Sequence, residues 1–321
     1  MKIKRFLLFA YLLWSTGALA QVYPSKPVRL VVPYAAGGPA DLLAREVARG
    51  LSEALGQPFI IEPKAGGGSM IGTEAVVRAS PDGHTFLVST AASHIVSPAM
   101  EKSPRYDGLK DLAPVAMFAN VPNVISANLS VPAGNVKELI AYAKANPGKL
   151  SYGSAGNGSS PHLAGEMFKL MAGVDLVHVP YKGAQPAVID LLGGAIQLGF
   201  VNISAVLPHI RSGKMKAYAV TSLQRSGALP ELPTADEGGL SGYEVTSWYG
   251  LAAPIGTPRA VIDTLHAAIR KVMSDPAMKK RLLETQGAEP YLMSPEEFAA
   301  FLRKDHDRLV KLIRAAGLRP G

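Results

Sequence analysis

Several short stretches of this chain concentrate hydrogen-bond donors at spacings suited to holding an anion. Tyr34, Gly37 and Gly38 fall in VVPYAAGGPADLLAR (31–45), and Thr90 and Ser93 in STAASH (89–94). Ser154, Gly156, Asn157 and Ser159 fall in YGSAGNGSSPHLAGEMF (152–168), with Lys182 and Asn202 further on. A carboxylate only accepts hydrogen bonds, so N–H and O–H donors suit it even without an arginine. Taken singly, each hydroxyl serves as readily to cap a helix, and Ser159 and Ser160 ahead of Pro161 show both uses best. An exposed lysine such as Lys182 is by default a solvated one.

Reactive constellations are scarce. No serine sits in G-x-S-x-G, no glycine loop is followed by Lys-Ser/Thr, and neither H-E-x-x-H nor G-x-G-x-x-G occurs; Gly66, Gly68 and Gly72 miss the last by one residue and read as a turn before a helix. His162 and Glu166 stand four apart, the spacing of two metal ligands on one helix face, but a catalytic site needs a third. His94 or His178 supplies one only if the fold brings it near. A hydrolase using Ser154 or Ser159 with His162 is the competing enzymatic reading, and no cofactor is called for.

The elements that must position these residues alternate. Val28, Leu30 and Val31–Val32 form an apolar run between prolines, the pattern of a buried parallel strand. Gly37–Gly38 then turn the chain, Pro39 suits a first helical position, and Leu43, Val47 and Leu51 line one helix face. Such a loop presents the unpaired N–H groups of a helix start, where the dipole favours an anion. Strands at 59–61 and 86–88, with a helix at 70–79, complete a doubly wound unit whose loops share one sheet edge.

Apolar runs on either side of Val121–Pro122 take the chain out of that unit. Helices are expected at 136–145, 161–171, 186–192 and 204–210, and strands at 150–152, 176–179, 197–201 and 216–221. The Pro-, Gly- and Ser-rich segment 222–242 reads as a surface excursion, and Trp248–Pro254 as a strand returning to the first unit. Thr257–Pro258 should cap and open a helix, Asp275–Pro276 another, and Ser294-Pro295-Glu296-Glu297 is a capping box for a last helix ending at Gly317. The domain reading is therefore a leader at 1–20, lobe I at 21–121 and 248–321, and lobe II at 122–247. Two α/β lobes joined by two crossings make a hinged clamshell.

The 321 residues have room for about two domains. Lys2, Lys4 and Arg5 precede an apolar stretch from Phe6 to Trp14, and Ala18-Leu19-Ala20 fits a signal-peptide cleavage site, so the mature chain is expected to start at Gln21 as an exported, soluble protein. The stretch is shorter than the ~20 residues that span a bilayer. The absence of cysteine excludes disulfides, thiolate metal sites and a lipid-modified N-terminal cysteine. Of the formal charge of +8, the leader contributes three basic residues and no acid, leaving +5. That excess is scattered, with no Lys/Arg cluster for nucleic acid, though a mild positive field collects anions.

These motifs, with VPYKGAQPAVIDLLGG (179–194), LPHIRSGKMKAYAVTS (207–222) and SWYGLAAPIGTP (247–258), closely resemble the periplasmic solute receptors of tripartite tricarboxylate transporters, often called the Bug family. The resemblance runs in order over essentially the whole mature chain. It implies a two-lobed Venus-flytrap periplasmic binding protein of type II-like α/β fold, each lobe a sheet flanked by helices and joined by two crossing segments. It further implies a monomeric receptor that binds a small carboxylate and passes it to a large and a small membrane subunit, without catalysis. By the same resemblance the carboxylate is held by the loops at Tyr34–Gly38, Thr90–Ser93 and Ser154–Ser159, with Lys182 and Asn202 in segments like those lining the second lobe. Where the family often carries Asp after Phe200, this chain has Val201, so an acidic partner for a ligand amino or hydroxyl group is missing. A sensor that docks on a signalling partner would share the same fold and cleft.

Overall fold

The computed structural model describes residues 23–318; the proposed leader, its cleavage after Ala20 and the new terminus at Gln21 lie outside them. Strand β1 (Val28–Val32) is buried except at Arg29. Helix α1 (Pro39–Leu55) has Pro39 in its first turn, buries Leu43, Val47 and Leu51, and stops at Gly56 in the left-handed conformation that glycine adopts without strain. β2 (Phe59–Pro63), α2 (Met70–Val77) and β3 (Thr85–Ser89) follow. STAASH does not stay a loop: the chain coils from Ala92 through Ala99 in two short helical turns before β4 (Leu112–Ala127).

Next come α3 (Val136–Ala145), β5 (Ser151–Ser154), α4 (Ser160–Ala172), β6 (Val177–Pro180) and α5 (Ala184–Gly193). They are followed by β7 (Leu198–Asn202), α6 (Ile203–Arg211), β8 (Lys216–Val220) and β9 (Thr246–Pro254). The chain finishes with α7 (Arg259–Ser274), α8 (Pro276–Gln286), β10 (Glu289–Met293) and α9 (Pro295–Ala315).

The strands run β2-β1-β3-β9-β4-β7-β5-β6, with β8 and β10 also on β4. β2, β1 and β3 are mutually parallel, as are β6, β5 and β7, so each half has the strand–helix–strand crossovers that put loops and helix starts on one edge. β4 joins the halves. It spans 16 residues, about 50 Å at the usual strand rise, pairing antiparallel to β9 from Leu112 to Pro122 and to β7 from Asn123 to Ala127. The change of partner falls at Pro122, which has no N–H to give to either ladder. β9 carries the chain back: it pairs with β4 and with β3. On its outer side Trp248 donates from Nε1 to the buried Asp305 at 2.9 Å and meets Phe298 and Phe301 edge-on, fastening α9 to both connecting strands.

Three details differ from the sequence reading. Segment 222–242 has no regular element, but Ala228, Leu229, Leu232, Ala235 and Leu240 are buried, so it packs as part of the core. Thr257 does not cap α7: its hydroxyl returns to the Pro254 carbonyl at 2.8 Å, and the helix starts one residue later, at Arg259. β10 was not anticipated; it carries Pro290, is only half-buried, and has a register shift between Pro290 and Met293. The capping box at Ser294 forms as expected, with the Ser294 hydroxyl accepting from Glu297 N and the Glu297 carboxylate accepting from Ser294 N.

Candidate functional site

The loop edges of the two halves enclose a cavity of about 1080 Å³. From the first half come the β1–α1 loop with Tyr34, Gly37 and Gly38, the glycine loop before α2, and Thr90. The second half contributes Gly156, Asn157 and Ser159, the start of α5 beside Lys182, and Asn202. Nine of the sequence candidates therefore share one wall-to-wall space. Ser93 and Ser154 do not line it.

On the first half, Tyr34 Oη and Thr90 Oγ1 lie 2.8 Å apart and tie two loops together; burial pushes the phenol up to about 12, so it stays protonated. Gly37 N is not free for a ligand, because it donates to the Asp41 carboxylate at 2.9 Å. Asp41 is itself clamped by Arg45 through both oxygens, which balances a buried negative charge at the mouth of α1. α1 begins at Gly38 with no side-chain cap, so its first-turn N–H groups are presented to the cavity with the dipole behind them. Ser93 is turned inward: its hydroxyl donates to the Thr90 carbonyl and accepts from Thr90 N, which shapes the turn instead of the wall.

On the second half, Ser159 caps α4 by accepting from His162 N at 3.3 Å while donating to the Gly156 carbonyl at 2.6 Å. Gly156 and Gly158 have φ of 116° and 76°, values that let 156–159 curl as a row of amides of which Gly156 N, Gly158 N and Ser159 N are taken by Ser154 Oγ, His162 Nδ1 and the Gly156 carbonyl. Ser154 is fully buried beneath that row, accepting from Gly156 N and lying 2.7 Å from His178 Nε2. The Ser–His contact expected of a hydrolase thus exists with His178 rather than His162, but its hydroxyl is sealed from the cavity and no substrate carbonyl can reach it. α5 starts at Gly183 without a side-chain cap, like α1.

The floor is a chain of amides and hydroxyls across the crossing strands. Asn202 Nδ2 donates to Asn123 Oδ1 and Ser247 Oγ, at 3.0 and 2.7 Å, and Asn123 Nδ2 donates to Ser160 Oγ and the Val245 carbonyl. Asn202 accordingly serves as a floor strut. Residues that sequence reasoning missed complete the walls: Ser69, Met70, Met100, Tyr181, Trp248 and Tyr249. Ser69 had a signal, since it directly follows the Gly66–Gly68 turn. It sits at φ 89°, in the left-handed region, and its buried hydroxyl has no partner among the described residues. Tyr249 had none, since an apolar strand residue looks the same facing a core or a cleft.

Glu101 and Lys182 are the charged residues among the cavity's lining residues, and both are exposed at its rim. An anion inside would be met by dipoles and neutral donors. Behind the second wall, burial pushes both His162 and His178 down to about 4; Lys169 adds to this at His162, and at His178 the closeness of His162, which disfavours charging both rings, adds to it. The fold does bring His178 to His162, but His162 Nδ1 accepts from Gly158 N, and Glu166 takes hydrogen bonds from Tyr152 and Lys169. Among the described residues no group of three potential ligands is placed to hold a metal.

Two sheet-and-helix halves sharing long strands, with a neutral donor-lined cleft between them, define a two-lobed solute-binding protein. Residues 43–318 match the family model described as "Tripartite tricarboxylate transporter family receptor". The chain is 36% identical over 299 residues to protein BugT of Bordetella pertussis, covering 93% of this chain and 91% of that protein. It is also similar to the structure of R. palustris Rpa4515 with adipate (TM-score 0.88, 36% identity, 93% of this chain and 100% of that one). A further similar structure is MatC from Rhodopseudomonas palustris with bound malate (TM-score 0.82, 30% identity, 91% and 100%). The chain belongs to the tripartite tricarboxylate transporter receptor family, whose members are periplasmic solute receptors and not enzymes. No helix of the described residues is long and apolar enough to cross a membrane.

Proposed function

We propose that this receptor binds a small organic acid, with one carboxylate held between the two lobes, and delivers it to the large and small membrane subunits of a tripartite transporter. The observation that carries the reading is the cavity itself: uncapped starts of α1 and α5, the Asn157 turn and neutral hydroxyls, with no acidic group among the described residues facing the interior. Adipate and malate in the similar structures support the substrate class. In this reading Tyr34, Gly38, Thr90 and Asn157 meet the ligand directly or through water, Lys182 adds charge at the rim, and Gly37, Ser93, Ser154, Gly156, Ser159 and Asn202 hold the donors in place. Residues 21–121 and 248–321 form one lobe and 122–247 the other, in keeping with the change of partner along β4 at Pro122. The receptor acts as a monomer released by cleavage after Ala20.

The test is calorimetry on the refolded chain starting at Gln21, against a panel of mono-, di- and tricarboxylates and amino acids. Refolding removes ligand carried through purification, and a ligand selective for the folded state raises apparent stability. A simple carboxylate should bind and raise the melting temperature. Stabilisation by amino acids alone, or by no member of the panel, overturns the substrate class.

A further inference from the structure

The imidazoles behind the second wall belong to neither the cavity lining nor the transport reading. His162 on α4 and His178 on β6 stack with ring centroids 4.0 Å apart and 18° between planes, and Tyr152 stacks on the far face of His178 at 4.9 Å. His162 bonds to the 156–159 loop directly, and His178 reaches it through Ser154. His162 Nδ1 accepts from Gly158 N at 3.1 Å, and His178 Nε2 meets the Ser154 hydroxyl, which in turn accepts from Gly156 N. Two successive turns of the loop that carries Gly156, Asn157 and Ser159 are therefore pinned from below by neutral rings. The column is set by a close approach: a Cβ on Gly165 would lie 2.2 Å from the Tyr152 ring, so the ring rests on the α4 backbone.

We propose that His162 and His178 are the positioning residues of the anion-binding loop, holding its Gly156 and Gly158 amides from behind so that the Asn157 amide faces the cleft, and that protonation of His162 releases Gly158 and lowers affinity for an acidic ligand. The proposal rests on the receptor reading above and adds a second property to it. An imidazolium has no acceptor at Nδ1, so the Gly158 N–H would face another N–H and the turn must move. The surroundings resist protonation. Glu166 is the one carboxylate on the column, and it is already held by Lys169 at 3.0 and 3.1 Å and by the Tyr152 hydroxyl at 2.7 Å. β4, β5, β7 and β9, against which α4 lies, bring Tyr152 and Tyr249 but no acid or cation. α9 brings buried Asp305, whose oxygens are taken by Trp248 and Arg308. Burial and Lys169 hold His162 near 4, which keeps the loop set at neutral pH and sensitive only to strong acid.

Three variants separate aiming from packing. In H162N the side-chain oxygen stands where Nδ1 does, H162F keeps a ring for the stack but has no acceptor, and H162A keeps neither. With adipate as probe at pH 7.5, H162A and H162F should each lose at least tenfold in affinity, and H162N should recover most of that loss. As pH falls from 7 to 3.5, adipate affinity should drop about fourfold further in the wild type than in H162N; titration of adipate itself affects both alike. The ligand-free protein gives an independent reading by nitrogen NMR. His162 should show the Nε2–H tautomer, and the Gly158 amide should shift with the same midpoint as the imidazole. Wild-type affinity in H162F, with loss in H162N, would mean the ring only packs and would overturn the proposal, as would a Gly158 amide that ignores His162 titration. If adipate and the wider acid panel fail to bind the wild type while Gly158 still follows His162, the receptor reading fails and the His162–Gly158 coupling stands.

Discussion

At the scale of single residues, the site works by leaving donors unspent in some places and spending them in others. Tyr34 and Thr90 share one hydrogen bond, which leaves one of their two O–H groups for a ligand, so Tyr34→Phe should keep the ring in place and weaken carboxylate binding about fivefold, the ~1 kcal/mol of one hydrogen bond. Calorimetry reads this directly. His94 illustrates a purely structural imidazole: Nδ1–H donates to the Gly108 carbonyl at 2.7 Å, Nε2 takes the Ser89 hydroxyl at 3.0 Å, and burial lowers it to about 4. The unfolded chain binds that proton near pH 6.5 and the folded chain only near 4, so between those values the unfolded state holds more protons and stability falls as pH falls. His94 should contribute on the order of 3 kcal/mol above pH 6.5, lost progressively toward pH 4, in urea titrations at several pH values; H94Q should flatten the slope. Residue types were readable from sequence, but the direction of a hydroxyl was not. Ser93 and Ser154 look like Thr90 and Ser159 in the chain, yet tertiary packing turns the first two away from the cleft.

Elements were more legible, because their signals are local. The apolar spacing of Leu43, Val47 and Leu51 gave α1, and the proline-bounded run gave β1. Ser294 to Glu297 gave the start of α9. β10 was hidden because Pro290 and a half-exposed pattern remove the usual strand alternation, and the packing of 222–242 was hidden because Leu229 and Leu232 are buried by residues distant in sequence. Helix position matters most at α4, whose approach to β5 is set by Gly165. Gly165→Ala would drive a methyl into the Tyr152 ring and should cost roughly 1–3 kcal/mol, an overpacking penalty. Because the displaced column lies under the 156–159 row, carboxylate affinity should fall too; a variant that lost stability but bound as tightly as the wild type would show that the column is independent of the loop.

For the molecule as a whole, the sheet makes two halves out of one continuous set of strands. β4 and β9 both cross, β4 changes partner from β9 to β7 at Pro122, and Asn123, Asn202 and Ser247 tie the crossing to the cleft floor. Closure around a solute is the motion this connection permits. The central claim is that one ligand touches both halves at once, and amide NMR of the refolded, isotope-labelled chain during adipate titration tests it most directly. Amides at the start of α1, Gly38 to Asp41, and in the 156–160 row should shift together along a single binding curve. Shifts confined to one half, or gathered away from the cavity, would contradict the account.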